Sequence, residues 1–400
     1  MEKSELLEKI KQETAKVKDD VIAWRRHFHK YPELGFEEYK TSEKIRSVLK
    51  KYEIPFKLKA KTGVVAGIDR KAGITIGLRA DMDALPVEEK TGLPFASVNK
   101  GIMHACGHDG HTAVLLGTAA VLKKLEKHLN VNVKFIFQPS EEKPPGGAPA
   151  MIKEGVLKGM DYLTGFHFFS DMPLYKVWIG KGPVMANTDS FRITIKGKGG
   201  HGSAPHLAKD PVICAACLVE NLQTIPSRCL DPMKAGVLSV CKINGGSAFN
   251  IIPETVELEG TVRTLENKIR EKIIEEMRLK IKKICESFGC KGELEYNNYS
   301  PSCLNDAKLS EKLKGLASAI LPAGNVIDYH PIMGGEDFAF FSQKVPSSYL
   351  FIGMGDKCGA HHSGNFTLDE RILPYTVNLL SSLIIEFPYR EIVRRSELQR

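Results

Sequence analysis

Nowhere in the 400-residue chain is there an apolar run of the roughly 20 residues that a bilayer crossing requires. The first eighteen residues make a charged, helix-like pattern without the apolar segment of a secretory signal. The expectation is a cytoplasmic protein with no membrane partner. Paired cysteine is lacking too. The nine cysteines (106, 214, 217, 229, 241, 285, 290, 303 and 358) are odd in number and follow no framework, which suits a reducing compartment and excludes a disulfide scaffold. Cys214-Ala-Ala-Cys217 has redox-pair spacing, but it lies inside the helical pattern 211–222 with no second pair to complete a zinc site. Both read as buried helix cysteines. The formal net charge of +8 is unclustered, so it favours anionic small substrates weakly and gives nucleic acid no surface. Internal repeats and low-complexity segments are absent. The glycine-rich loop 197–206 lacks both the Lys-Ser/Thr ending of a phosphate loop and the dinucleotide spacing, which excludes nucleotide binding. No Gly-x-Ser-x-Gly occurs, so a serine nucleophile is not expected.

What is present is concentrated at residues 103–111, Met-His-Ala-Cys-Gly-His-Asp-Gly-His. Borderline-soft divalent metals take thiolate sulfur and imidazole nitrogen, and Cys106 and His108, one residue apart, can reach one centre. The apolar run 112–122 follows at helical spacing, placing the cluster on the loop that enters a buried helix. Loops of that kind carry the chemistry of α/β folds.

Hydrophobic content of 42% and charged content of 26% are those of a globular protein, and at about 100–200 residues per domain the chain holds two or three units. Helices at 4–30 and 41–51 come first. The basic, aromatic stretch 25–35 between them reads as a solvated helix end with cations at its C-terminus. Short β-branched runs at 63–68, 74–79, 131–137 and 161–167 then alternate with helix, which predicts a mixed-sheet α/β body. Each of the later strand ends offers a donor. Asp81 and Asp83 follow the second run and are placed to orient a metal-bound histidine. Glu141 and Glu142 follow the third, where one carboxylate can ligate and the other take a proton; His167 ends the fourth.

The pattern changes near residue 186. Strand, helix, strand, strand, helix and strand, within 190–297, predict a split βαβ, ferredoxin-like α+β domain. Its turn 245–253 offers the amide of Asn250, and a strand end offers the guanidinium of Arg263; either can hold a carboxylate. The α/β pattern resumes from 300 with a helix at 306–320, the segment Gly334-Gly335-Glu336-Asp337, a strand at 348–352, His361-His362 and a helix at 372–387. The domains are thus 1–185, an insert at 186–299, and 300–400 completing the first.

Cys106, His108, Glu142, His167 and one of His361 or His362 are too many donors for one tetrahedral zinc. They suit two metals about 3.5–4 Å apart, with Glu141 left over. A structural zinc site is closed and built from close sequence pairs, whereas these donors are scattered beside a spare base, which favours catalysis.

Residues 103–111, 79–86, Gln138-Pro-Ser-Glu-Glu142 with Pro144-Pro-Gly-Gly, Gly199-Gly-His201, Gly334-Gly-Glu-Asp-Phe338 and His362-Ser363 occur in the order seen in the clan MH di-metal amidohydrolases and carboxypeptidases, which the chain resembles over nearly its whole length. Aminoacylase, hippurate hydrolase, indoleacetyl-amino-acid hydrolases and N-acetyldiaminopimelate deacetylase belong to that family. The resemblance implies a di-zinc exopeptidase-like catalytic domain with an inserted dimerisation (lid) domain, and two divalent ions (zinc, manganese, cobalt or nickel) on Cys106, His108, Glu142, His167 and His362. It makes Glu141 the base and leaves Asp81 behind the ligands. It further implies that His201 reaches the partner subunit's site to stabilise an oxyanion, that Asn250 and Arg263 hold the substrate carboxylate, and that Gly335 lies at the substrate. The expected activity is hydrolysis of N-acyl-L-amino acids by a metal-activated water, in a homodimer or a tetramer of dimers. A carboxypeptidase acting on short peptides and a non-catalytic metal or peptide binder are the alternatives.

Overall fold

The computed structural model describes residues 3–387; the ends of the first helix pattern at residues 1–2 and of the last domain at 388–400 lie outside the described residues. The chain forms two compact units. One comprises the residues up to Gly182, Leu304–His330 and those from Phe340 on; the other comprises Pro183–Cys303 and Pro331–Ala339. Gly335 therefore belongs with the second unit.

A seven-stranded sheet forms the first unit, in the order Phe56–Lys59, Gly63–Ile68, Asn132–Gln138, Thr75–Asp81, Tyr162–Phe169, Ser347–Gly353 and Val177–Trp178. The middle four strands, from Asn132–Gln138 to Ser347–Gly353, are parallel, and the flanking ones pair antiparallel. This is the mixed sheet that the strand signals implied. Its central strands are buried almost throughout, as in Ser347–Gly353, where no position is exposed. Strands covered on both faces read as continuous apolar runs and need no alternation.

The helix His108–Lys124 is buried on every face from His108 to Leu122. A Cβ at Gly117 would stand 2.6 Å from Val21 and 2.8 Å from Val377, so glycine is what lets Lys3–Lys30 and Ile372–Ile385 close on it. The helix starts at His108, earlier than the apolar periodicity indicates. Asp109, Gly110 and His111 are therefore in its first turn, while His104 and Cys106 stay in the loop; polar residues bonded inside a core leave no hydrophobic signal to mark a helix start.

The stretch 25–35 also departs from expectation. Arg25 and His29 are not on a solvated helix end: they are 1% and 0% exposed. Arg25 Nε donates to Asp109 Oδ2 at 2.8 Å, and His29 bonds the same oxygen at 2.8 Å and Glu89 at 3.1 Å. Paired charges are buried where isolated ones are not.

The second unit is a four-stranded antiparallel sheet in the order Gly236–Gly245, Thr255–Thr264, Thr188–Lys196 and Lys291–Ser300. With the helices Pro211–Thr224 and Asn267–Ser287 it completes the ferredoxin-like order expected from the insert. Phe191, Ile193 and Ile195 alternate inward and meet Ile273, Met277, Ile281 and Cys285, spaced four apart on the longer helix. Cys214 is buried with its sulfur 3.7 Å from that of Cys285, and Cys217 is half-buried. Gly236–Gly245 is an outer strand, and its residues from Cys241 onward are exposed.

Candidate metal centre

The parallel strands of the first unit deliver their donors from their C-terminal ends, where open α/β sheets bind ligands. Asp81 and Asp83 follow Thr75–Asp81, Glu141 and Glu142 follow Asn132–Gln138, and His167 is near the end of Tyr162–Phe169. The loop after Ser347–Gly353 supplies His361 and His362, and the first turn of the buried helix supplies His108.

Among the donor groups that result, two share the thiol. Cys106, His108 and His167 form one; Cys106, Glu142 and His362 form the other; within each, the ligand atoms lie within 4.8 Å of one another. Cys106 is common to both. Glu141 joins a further group with His108 and Glu142.

The ring nitrogens are assigned by their hydrogen bonds. Nδ1 of His108 donates to the Asp83 carbonyl and carboxylate at 3.0 and 3.2 Å, and Nδ1 of His167 donates to the Phe168 carbonyl at 2.7 Å. Both rings thereby present Nε2 to the triad. His111 offers nothing comparable, because Nδ1 is held by Asp81 at 2.6 Å and Nε2 accepts from the Phe168 amide at 3.1 Å. His362 stands with Nε2 3.3 Å from Glu142 Oε1, while the neighbouring His361 lies beside Cys106, Nδ1 to Sγ 3.8 Å. The His362 amide donates to the Ala105 carbonyl at 2.8 Å, tying this late loop to the residue before Cys106.

Asp83 holds two donors at once. Besides the His108 ring, its other carboxylate oxygen accepts the Glu142 amide at 3.0 Å. Asp81, the aspartate expected behind the ligands, bonds His111 and Arg79 and remains 3.8 Å from His108 Nε2. Sequence spacing offered both aspartates, but only the fold distinguishes the one holding the His108 ring.

The electrostatics call for a cation. Burial would lower the His108 pKa, but Asp81, Asp83 and Glu142 outweigh it and push it up to about 10. Burial, with Glu142, Glu141 and Asp81 nearby, pushes the Cys106 thiol well up, so a thiolate there needs a positive partner. Burial holds His167 well below its usual value, leaving a neutral imidazole. Glu142 Oε1 is buried, with the ring nitrogens of His362 and His108 at 3.3 and 3.8 Å. Mixed sulfur, nitrogen and oxygen donors and a shared thiol fit two divalent metals.

The remaining expected residues are in the second unit. His201 is exposed, its Nδ1 bonded to the Ser203 hydroxyl at 2.8 Å, and Asn250 accepts the Gly202 amide through its carbonyl at 2.8 Å. Arg263 is half-buried, and Nη1 is buried without a hydrogen-bond partner. Gly335 lies beside it, a Cβ there falling 3.5 Å from Nη1.

A mixed α/β sheet with paired donor sets at its strand ends is the arrangement a dinuclear metal centre requires. Residues 77–386 match peptidase family M20/M25/M40, and the chain belongs to that family. It is 38% identical over 392 residues to thermostable carboxypeptidase 1 of Saccharolobus solfataricus, covering 96% of this chain and 99% of that one. It is 42% identical over 352 residues to N-acetyl-L-cysteine deacetylase of Bacillus subtilis, covering 88% and 84%. A crystal structure of a Bacillus subtilis dinuclear metal-binding peptidase of the M20 family aligns with a TM-score of 0.83 at 36% identity, covering 93% of this chain and 98% of that one. The resemblance read from the motifs holds: the protein is a metal-dependent hydrolase of amide bonds, and the donor sets together with the dinuclear relative support two metal ions. A purely binding role does not stand beside these hydrolases. Among the described residues no helix is long and apolar enough to cross a membrane.

Proposed function

We propose that the protein is an N-acyl-L-amino-acid amidohydrolase with Cys106, His108, Glu142, His167 and His362 as metal ligands and Glu141 as the general base. The observation that carries it is the pair of triads sharing Cys106, with Glu141 adjoining them as a carboxylate beyond the five donors. When bound, two divalent ions (zinc, manganese, cobalt or nickel) supply Lewis acidity for acidifying water and polarising a carbonyl. Glu141 accepts the proton of the attacking water and returns it to the leaving amine. His201 of the partner subunit stabilises the oxyanion. Asn250 and Arg263 hold the substrate carboxylate, with Gly335 beside Arg263; the unpaired Nη1 of Arg263 supports an anion there.

A carboxypeptidase acting on short peptides is the second reading, supported by the carboxypeptidase relative that matches 96% of the chain. Metal-stripped protein reloaded separately with zinc, manganese, cobalt or nickel, then given N-acetyl, N-benzoyl and dipeptide substrates, separates the two by free amine released. Metal-dependent release from capped amino acids supports the first reading and preference for dipeptides the second. No release with any metal overturns both.

Asp83→Ala should weaken metal binding by about 10–100-fold, because it frees the His108 ring and the Glu142 amide together. Competition against a chromophoric chelator measures this, and an unchanged affinity would mean that both ligands are held without Asp83.

The proposed assembly is a homodimer, or a tetramer of dimers, through the outer strand Gly236–Gly245. An exposed edge strand bearing Ile243 at 60% exposure is a template for a second copy, and exposed Phe249 and Ile251 lie close by in sequence. Ile243→Lys should shift the mass seen by light scattering from dimer to monomer. A wild-type monomer would refute the assembly.

A further inference from the structure

The turn that carries Glu141 is pinned at three backbone atoms. The Glu142 amide donates to Asp83 at 3.0 Å, and the Ser140 carbonyl accepts the Gly147 amide at 2.7 Å. The third pin comes from far away in sequence: the Ser140 amide donates to Glu38 Oε1 at 2.8 Å. Ser140 needs such support. It is fully buried, and its φ of +51° lies in the left-handed region that a serine seldom adopts. Backbone in that region persists when its surroundings over-determine it.

Glu38 is an unusual residue to find there. It is 0% exposed, and burial pushes its carboxyl up to about 7. A buried carboxyl is a costly way to fill space unless its oxygens are bonded. Both are: Oε1 takes the Ser140 amide, and Oε2 takes the Thr62 hydroxyl at 2.6 Å. Thr62, itself buried, fixes the carboxyl's orientation from the opposite side. The same short segment also touches the serine side chain, since a Cβ on Gly35 would fall 2.5 Å from Ser140 Oγ. Gly35 and Glu38 thus seat Ser140 from one direction, one by close approach and the other by a hydrogen bond.

We infer that Glu38 is a positioning residue for the hydrolysis: through the Ser140 amide it fixes the turn that presents Glu141, while Asp83 separately holds the Glu142 amide, and Glu38 does not itself touch the reacting atoms. This rests on the reading of Glu141 as the base. What Glu38 contributes is an acceptor oxygen at a fixed reach; its charge is incidental. Glutamine offers the same oxygen at the same reach. Aspartate keeps the charge but is one methylene short.

The test compares Glu38→Ala, Glu38→Asp and Glu38→Gln in the metal-loaded protein, reading kcat and KM on an N-acetyl amino acid, metal content and the circular dichroism melt. Misplacement by about 1 Å costs roughly 10²-fold, so kcat should fall about 100-fold in Glu38→Ala and about 10-fold in Glu38→Asp, with KM and two bound metals retained. Glu38→Gln should stay close to wild type. Glu38→Asp as active as wild type overturns the inference, as does Glu38→Gln as impaired as Glu38→Ala, which would make the charge the agent. If Glu38→Ala does not fold, the contrast between Asp and Gln decides alone. Glu141→Gln, run alongside, separates the two readings. If it stays active, the base assignment fails; if it is dead while all three Glu38 variants keep their kcat, only the positioning role fails.

Discussion

Glu141→Gln is expected to lower kcat by about 10²–10⁴-fold, the range lost when a positioned general base is removed. Glutamine has the same shape and can still hydrogen-bond, but it cannot take a proton from water. The donors assigned to metal are other residues, so two ions per chain should remain bound, and KM for an N-acyl amino acid should change little. Elemental analysis on the purified variant and steady-state kinetics check both halves. A variant that turns over normally removes Glu141 from the base role. One that loses its metals as well would mean that Glu141 ligates, as its grouping with His108 and Glu142 permits.

Two adjacent arginines should differ several-fold in what their removal costs in stability. Arg25 is 1% exposed and paired with Asp109, which is 0% exposed. Removing the guanidinium in Arg25→Ala leaves a buried carboxylate short of a partner, which costs about 3–5 kcal/mol. Arg26 makes bonds at least as short, 2.8 and 2.6 Å to Glu370, but from a side chain that is 49% exposed. Arg26→Ala should therefore cost no more than about 1 kcal/mol, because solvent already screens that pair. Denaturant unfolding of the two variants gives the comparison. Similar losses would show that burial does not govern the strength of these pairs. His29 is part of the reason the Arg25 cluster holds: burial alone would lower its pKa, but Asp109 and Glu89 more than compensate and raise it.

The proposed donors are legible as candidates in the sequence because their spacing is local: Cys106 with His108, Glu141 with Glu142, and His167 at the end of a β-branched run. The second unit was legible because its strands alternate and its long helix keeps its apolar residues four apart. What escaped was whatever depends on segments distant in sequence. Glu38 reads as one acid among several after Tyr31-Pro32, and nothing near it says that it caps an amide in the turn before Glu141. Arg25 and His29 read as a solvated helix end because cations at a helix C-terminus need no other explanation. Their partner, Asp109, stood inside a motif already explained by metal binding. Asp83 was visible as a candidate, but choosing between it and Asp81 requires knowing which faces the His108 ring.

The order of the proposed donors along the chain bears on how the protein is made. His167 is followed by the entire second unit before His362 appears, 195 residues later (167 to 362). At about 5–20 residues per second, a ribosome needs about 10–40 s to cover that stretch. Throughout that interval the nascent chain holds Cys106, His108, Glu142 and His167 but lacks the residue that completes the second triad. With these residues as ligands, as proposed, capture of both ions requires synthesis through His362, and a chain that stops before that residue lacks one of the five donors.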